Sequence, residues 1–366
     1  MHKISVDIKF QYIKSIFPGV ILALVFCLFS QGINNVLAIE IFGTSKSPIS
    51  TVLIAILLGI LMGNAFTPRP GMMVGLDFTQ QYILKLGIIF LGIRLSFSDL
   101  VKFGSIAIPL VIVCIIGVIF LVKLLIKKVP ISSKMSYLIA IGTSVCGATA
   151  IVATAPVINA KKSEVAYAIA NITLFGVIAM LIYPYFAEWY FDNNGLEAGL
   201  FLGTSIHETS QVAAAGLIYD QQFNNPETLD VATVTKLIRN TFLVILIPLF
   251  AFLYNRGEFK DQKYSILSIF PYFVIGFIGM IVVRNLGDQF FSIEDGNYFI
   301  WYNFIEYLKI LATVFLTMAM AAVGISINLS ELKSMGYKPF VVGLIAAVTV
   351  GFISLIYIQT VSKFFT

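Results

Sequence analysis

The chain has 366 residues, of which 58% are hydrophobic and only 12% are charged, and its mean hydropathy is +0.93. A soluble globular domain carries about 25% charged residues, so this composition predicts an all-α membrane protein and excludes a soluble fold. The net charge of +5 falls mostly in short loops, which is typical of the positive-inside rule and argues against a nucleic-acid partner.

Eleven hydrophobic segments follow one another along the chain. We expect nine to eleven spans in a single polytopic transmembrane transporter domain over residues 1–366. The first segment is expected to be retained, because no small-residue cleavage site follows it. The segments lie at about 15–31, 49–66, 79–97, 104–126, 135–158, 165–187, 197–219, 236–254, 265–284, 302–327 and 338–361.

The loop charges conflict with eleven simple crossings. If the N-terminus were cytoplasmic and every segment crossed, the lysines at 161–162 would lie outside and the acidic loop 188–197 inside, against the positive-inside rule. Re-entry of 135–158 and 197–219, each returning to the side it entered from, restores the pattern. Re-entrant helices are therefore favoured, with an unwound helix that crosses fully as the alternative. The N-terminus is then expected on the cytoplasmic side of the membrane.

Two internal similarities support this topology. The stretch 142–145 (GTSV) matches 203–206 (GTSI), and 91–100 (LGIRLSFSDL) matches 323–332 (VGISINLSEL), a register that also pairs Gly104 with Gly336. Under the re-entrant topology the members of each pair run in opposite directions. Inverted structural repeats with interrupted helices are typical of secondary transporters. The alternative is a chance recurrence of small residues in packed membrane helices.

The interrupted segments predict a site for a small anion. Non-helical backbone at membrane depth must line an enclosed cavity or hold a ligand, and the N-terminus of a half-helix suits a negative charge. Hydroxyl groups add neutral donors, although bonding to the residue's own helix is the alternative for each one. The substrate-binding residues predicted in these segments are Gly142, Thr143, Ser144, Gly147, Gly203, Thr204, Ser205 and Gln211.

Four further polar residues lie near the ends of other predicted segments. Arg94 ends an apolar run, and its planar guanidinium matches an oxyanion, so we predict that it binds substrate. Snorkelling of Arg94 to the interface is the alternative. Asn328, in the matching repeat stretch, is predicted to bind substrate as well. Lys236 and Arg239 begin the segment 236–254 and are interpreted as interface anchors.

His207 and Glu208 are adjacent titratable groups in an interrupted segment, and we predict that they couple transport to a proton or another ion. A packing pair is the alternative for the same two residues. A cation–proton antiporter using Glu208 and His207 is the alternative function. An enzyme is not expected, because Gln211 stands where HExxH needs a second histidine and the three cysteines show no CxxC spacing. No metal or cofactor is therefore predicted.

Several long motifs, in the same order and over essentially the full length, make the chain resemble the sulfate exporter family of YeiH-like bacterial inner-membrane proteins. The resemblance implies a multi-pass transporter that exports or exchanges a small anion such as sulfate or a sulfonate. A proton or Na⁺ as coupling ion, and a homodimer as assembly, stay open. The motifs are LLGILMGN ending at Asn64, KLGIIFLGIRLSFSDL ending at Leu100, GTSVCGATAIVATAPVI ending at Ile158, GTSIHETSQVAAAG ending at Gly216 and MAMAAVGISINLSEL ending at Leu332.

Overall fold

The regular elements of the computed structural model are helices throughout the part of the chain that it describes. That part comprises residues 2–43, 47, 49–66, 68–125, 132–254, 270–291, 298–328 and 337–361. It contains eight helices that are long and apolar enough to cross a membrane, and the shorter apolar helix Thr51–Ala65. The predicted all-α membrane fold is therefore confirmed.

Short turns and loops divide these ranges into helices of very different length. The π-helical turn Leu37–Ile41 extends the first helix, the π-helical turn Thr79–Ile83 joins two others, and the 3-10 turn Gly92–Arg94 follows the second of those two. The α-helices are α1 (His2–Val36), α2 (Thr51–Ala65), α3 (Pro70–Phe78), α4 (Leu84–Leu91), α5 (Phe97–Leu125), α6 (Ser133–Ser144), α7 (Ala148–Thr154), α8 (Lys162–Phe191), α9 (Gly195–Ser205), α10 (Thr209–Phe223), α11 (Pro226–Thr241), α12 (Leu243–Tyr254), α13 (Phe273–Phe290), α14 (Tyr298–Ser326) and α15 (Tyr337–Val361).

The predicted segments correspond one to one to these elements. The eight candidate spans and α2 account for nine of them, and the short helix pairs α6–α7 and α9–α10 account for 135–158 and 197–219. Two predicted starts were wrong by nine or ten residues: the helix assigned to 236–254 begins at Pro226, three residues after α10 ends, and the one assigned to 79–97 begins at Pro70. The part of the second repeat from residue 329 onward lies outside the described residues.

The chain divides into two compact units, each assembled from separate stretches of sequence. The first unit comprises residues 1–96 and 275–329, and the second comprises 97–274 and 330–366.

In the first unit, α2 packs against α14 at a close backbone approach. A Cβ built at Gly59 would lie 2.6 Å from the carbonyl oxygen of Ala321, and one built at Gly324 would lie 2.5 Å from that of Ile56. Without a hydrophobic driving force in lipid, such small-residue contacts are the usual basis of helix association. Two of the long motifs of the sequence thus meet in this contact.

The helix α14 also runs antiparallel to the span Pro70–Arg94. Near the middle of that span, Gln80 Nε2 donates to the hydroxyl of Ser326 at 2.7 Å, whereas Ile93 at its end packs against Trp301. The two members of the second internal repeat therefore run in opposite directions, as the inverted repeat predicts.

In the second unit, α6 and α7 form a re-entrant hairpin. Lys134, at the start of α6, donates from Nζ to the carbonyl oxygen of Asn159, which follows α7, at 2.6 Å. Ser132 similarly donates its hydroxyl to the carboxylate of Glu164, at the start of α8. A segment that crossed the bilayer would separate these ends by about 30 Å. The chain instead returns to the side from which it entered.

A second re-entrant hairpin is formed by α9 and α10. Asn225, just after α10, donates from Nδ2 to the carbonyl oxygen of Asn193, just before α9, at 2.8 Å. The two arms have 11 and 15 residues, which is too short for either to span the hydrocarbon core. This arrangement selects re-entry over the fully crossing alternative for both segments.

The 30-residue helix α8 separates the open ends of the two hairpins. The first hairpin opens beside Glu164 at the start of α8, and the second opens at Asn193, just beyond its end. Because α8 crosses the membrane once, the hairpins enter from opposite sides and their tips meet beside its middle. The first internal repeat is therefore inverted too.

Candidate functional site

The tip of the first hairpin is an irregular turn between α6 and α7. Val145 leaves helical geometry with φ −124° and ψ −91°, and Gly147 precedes α7 with φ +68°. This φ favours glycine, because a side chain in this region is strained. A Cβ built at Gly147 would also lie 2.5 Å from Cγ of Glu208, so the same glycine lets the second hairpin approach.

The tip of the second hairpin is an extended turn between α9 and α10. Ile206 and Glu208 both have extended backbone, with ψ of 141° and 147°. The amide N–H of Glu208 donates to Oε1 of Gln211 at 3.2 Å, which closes the first turn of α10. Nε2 of Gln211 donates to the carbonyl oxygen of Thr173 in the middle of α8 at 3.4 Å. Gln211 therefore fixes this tip to the scaffold.

A stripe of glycines brings α9 against α11. A Cβ built at Gly199 would lie 2.6 Å from Cβ of Val231, and one built at Gly203 would lie 2.6 Å from Cβ of Thr235. This spacing of four residues places both glycines on one face of α9. The close approach brings the next residues of α11 under both tips.

Lys236 of α11 is completely buried and donates to both tips. Its Nζ lies 2.9 Å from the carbonyl oxygen of Val145 in the first hairpin and 3.1 Å from that of Ile206 in the second. It also donates to the carbonyl oxygen of His207. These are carbonyl groups that the ends of α6 and α9 leave without an intrahelical donor.

Arg239, one turn further along α11, is equally buried and acts in the same way. Its Nε donates to the carbonyl oxygen of Ser144 at 2.7 Å, and its Nη1 donates to those of Thr204 at 2.7 Å and Ile206 at 2.9 Å. Its Nη2 donates to the carbonyl oxygen of Thr143. Two cations thus lie where two helix C-termini carry partial negative charge.

The interpretation of Lys236 and Arg239 as interface anchors was wrong. The hydropathy drop in this region moved the predicted start of the helix to residue 236, but α11 begins ten residues earlier, at Pro226. Both cations therefore lie well inside the span Pro226–Leu249. A charged residue in the middle of a correctly bounded span would have identified them, because such a charge usually marks a functional site.

The side chain of Glu208, in the second tip, also bonds to the first tip. Its carboxylate accepts the backbone N–H of Ala148, at the start of α7, and the hydroxyl of Thr173 at 3.4 Å. The predicted pair of His207 and Glu208 does not bond side chain to side chain within the described residues. The imidazole of His207 is bonded instead to the carbonyl of Ser205, and its Nδ1 has no partner among the described residues.

The predicted hydroxyl ligands fall into two groups. Thr204 Oγ1 donates to the carbonyl oxygen of Leu200 at 2.7 Å and lies 2.7 Å from the hydroxyl of Ser354, so it serves helix packing. The hydroxyls of Thr143, Ser144 and Ser205 are buried at the ends of α6 and α9 and have no hydrogen-bond partner among the described residues.

One side of the tips is open. Residues 143–147 and 204–207 are buried, whereas Ala148, Thr173, Glu208 and Thr209 are partly exposed and Thr149 is exposed. A carboxylate and three hydroxyls at the depth of the middle of α8 are unfavourable against lipid, so this face suits an aqueous or protein-enclosed cavity. Next to it, Asn240 donates from Nδ2 to Oγ1 of Thr209 at 2.9 Å, while its buried Oδ1 has no partner among the described residues.

Arg94 and Asn328 belong to the first unit, unlike the other predicted site residues. Arg94 ends the 3-10 turn that follows α4, and its neighbour Ile93 packs on Trp301 near the start of α14. Asn328 follows the end of that 29-residue helix, about 35 Å further along it. The structure therefore does not bring these two residues together, and an arrangement in which both bind one ligand is not formed. The inverted direction of the repeat places them at opposite ends.

The chain is similar in sequence to membrane proteins of several bacteria. Residues 18–343 match the family model described as Conserved hypothetical protein 698. A UPF0324 membrane protein of Streptococcus agalactiae is 32% identical over 90% of this chain and 93% of its own length. The one of Fusobacterium nucleatum is 33% identical over 83% of this chain and 88% of its own length. The one of Clostridium tetani is 27% identical over 96% of this chain and 99% of its own length. No solved structure matches the chain.

Proposed function

This chain belongs to the Conserved hypothetical protein 698 family of membrane proteins, and we propose that it is a secondary transporter of a small anion. The observation that carries the proposal is the meeting of two oppositely inserted hairpin tips beside the buried cations Lys236 and Arg239. Interrupted elements of inverted repeats that meet near the bilayer midplane are the usual location of a transported ligand.

The charges at the tips favour an anion. The C-termini of α6 and α9 each contribute about half a negative charge, so together they offset about one of the two cations. One positive charge is left before Glu208 is counted, and the N-terminus of α10 adds to it. Donors at the opening, including the hydroxyls of Thr173 and Thr209, are suited to hold an oxyanion without a strong ion pair that would prevent release.

The finer assignment follows the sequence resemblance. A sulfate or a sulfonate is the proposed substrate, exported or exchanged across the bacterial inner membrane with the N-terminus in the cytoplasm. The basic residues Lys134, Lys161 and Lys162 lie at the end of α8 that this orientation makes cytoplasmic, and the acidic residues Glu188 and Asp192 lie at the other end. The function is transport and not catalysis.

Thermal unfolding of the purified protein with a panel of anions tests the proposal. A ligand that binds the folded state raises its melting temperature, so sulfate, sulfite, sulfonates and carboxylates are compared with NaCl and KCl at matched ionic strength. Thr173→Val removes a hydroxyl at the opening and is expected to weaken anion stabilisation about tenfold in apparent Kd. Thr360→Val is the matched control, because its hydroxyl bonds the carbonyls of its own helix at the end of α15.

Flux completes the test. Liposomes containing the protein should accumulate the stabilising anion, and Thr173→Val should reduce the initial rate in parallel with affinity. Arg94→Gln, measured beside it, tests separately whether the guanidinium of the first unit contributes. Absence of stabilisation and flux for every anion in the panel would disprove anion transport.

Cation–proton antiport is the second candidate function, and one observation favours it. Glu208 is a partly exposed carboxylate, and beside Thr209 the buried Oδ1 of Asn240 lacks a partner among the described residues. Oxygen ligands of this kind suit Na⁺. Stabilisation by Na⁺ over K⁺ that disappears in Glu208→Gln would select this function.

A further inference from the structure

We propose that, without bound substrate, the carboxylate of Glu208 occupies the place of the substrate oxyanion. When the anion binds, Glu208 takes up a proton and its side chain leaves this place. The inference rests on the proposed function and names the coupling ion, one proton for each anion. Glu208 thus becomes a positioning and coupling residue of the same site.

The donors that bind Glu208 are of the kind that an oxyanion substrate needs. A carboxylate is itself an oxyanion, and this one accepts the N–H of Ala148 and the hydroxyl of Thr173. Gly147, whose missing side chain leaves room for Cγ of Glu208, belongs to the same turn. A donor pair and a clearance that accept one oxyanion will accept another of similar size. The carboxylate of Glu208 is therefore bound in the way in which an oxyanion substrate would be bound.

Glu208 is accessible at the open face of the tips. Glu208 and both of its donor residues are partly exposed, while the carbonyl groups bound by Lys236 and Arg239 lie behind them in buried backbone. The carboxylate therefore lies at the open face of the tips, where an anion would arrive. Three single bonds in the side chain allow it to leave that place without movement of the backbone.

The protonation state of Glu208 sets the net charge of the site. The titratable groups around Glu208 are Lys236 on α11, Cys146 in the first tip and His207 beside it, with Arg239 one turn beyond Lys236. Ionised Glu208 offsets the positive charge that the two helix C-termini leave uncompensated. A second anion would then face a site with little net positive charge and a like charge. Protonation of Glu208 restores the positive charge and removes the competitor in one event.

Protonated Glu208 needs a new hydrogen-bond partner. Its O–H group is a donor, so it requires an acceptor in place of the Ala148 N–H. The unpartnered Oδ1 of Asn240 lies on the amide that bonds Thr209, the next residue, and supplies an acceptor beside the tip. The proton comes from a hydronium ion of the solvent, whose O–H bond breaks as the O–H bond of the carboxylic acid forms, and a monoanion would cross without net charge.

The experiment is the pH dependence of sulfate binding to the full-length protein, measured by isothermal titration calorimetry. Sulfate keeps its charge throughout the range from pH 5 to pH 8, so any dependence belongs to the protein. Because binding is linked to uptake of one proton, the apparent Kd should weaken about tenfold for each pH unit above the pH at which Glu208 titrates. Repetition in buffers of different ionisation enthalpy should show about one proton taken up per sulfate bound.

Glu208→Gln supplies the decisive comparison. Its neutral side chain no longer competes as an anion, so the Kd for sulfate should become independent of pH and stay near the low-pH value of the natural protein. Glu227→Gln, which removes a carboxylate at the start of α11, should retain the pH dependence. A melting curve without ligand verifies that each variant is folded.

The outcomes separate the two proposals. If the natural protein binds no anion at any pH, the proposed function fails. If it binds sulfate but takes up no proton, or if Glu208→Gln keeps the pH dependence, anion binding stands and the inference is overturned. Loss of sulfate binding in folded Glu208→Gln at pH 5 also overturns it, because Glu208 would then be a ligand and not a competitor.

Discussion

Nζ of Lys236 lies 2.9 Å from the carbonyl oxygen of Val145 and also donates to the carbonyl oxygen of His207. One side chain of α11 thereby holds the tips of two hairpins that enter the second unit from opposite sides. The energetic consequence is that neither tip can change shape without leaving buried carbonyl groups unpaired.

Lys236→Met is expected to lower the free energy of unfolding by about 3 kcal/mol or more, because it leaves the buried carbonyl oxygens of Val145 and His207 without a donor and removes one of the two donors to that of Ile206. Thermal unfolding in detergent measures the loss. Lys309→Met is the control, because Lys309 pairs with Glu306 on a partly exposed surface, where such pairs contribute about 0–1 kcal/mol. Equal melting temperatures for the two variants would show that Lys236 does not hold the tips.

Gly147→Ala is expected to destabilise the protein by about 1–3 kcal/mol. Its φ of +68° strains any other residue, and the added Cβ would contact Cγ of Glu208 at 2.5 Å. Gly279→Ala is the matched control, because Gly279 lies inside α13 with open space around the position of a Cβ, and alanine favours a helix. The comparison of melting temperatures should show a loss in the first variant and none in the second.

Cysteine labelling from the two sides of the membrane tests re-entry. In a background without the three native cysteines, single cysteines replace Lys134, Asn159, Asn193 and Asn225. The first two positions should react with a membrane-impermeant maleimide from one side, and the last two from the other, because each pair is joined by a hydrogen bond. Reaction of positions 134 and 159 from opposite sides would contradict the first hairpin.

Gly59→Val is expected to weaken the contact of α2 with α14. The added Cβ would lie 2.6 Å from the backbone oxygen of Ala321, so one helix must move away, at a cost of about 1–3 kcal/mol. Gly32→Val in α1 is the control, because nothing lies within 4 Å of the position of its Cβ. A melting temperature that falls in the control as far as in Gly59→Val would assign the effect to β-branching alone.

The sequence by itself determined the number and order of the apolar segments and the two places where they are interrupted. Hydropathy and loop charge are local properties, and the lysines at 161–162 with the acidic loop 188–197 were sufficient to favour re-entry. The match of 142–145 with 203–206 also identified both tips. These features needed no knowledge of which side chains meet.

Only the tertiary structure decided how the tips are held. The role of Lys236 depends on a residue 91 positions away in the chain, and Arg239 reaches Thr143 across 96 positions. Such partners have no signature in a local window, and the polar composition of α11 moved its predicted start past Pro226. The separation of Arg94 from Asn328 was likewise not visible in a local window of the sequence. Similar residues in an inverted repeat lie at opposite ends of a helix pair, and the direction of packing is a property of the folded chain.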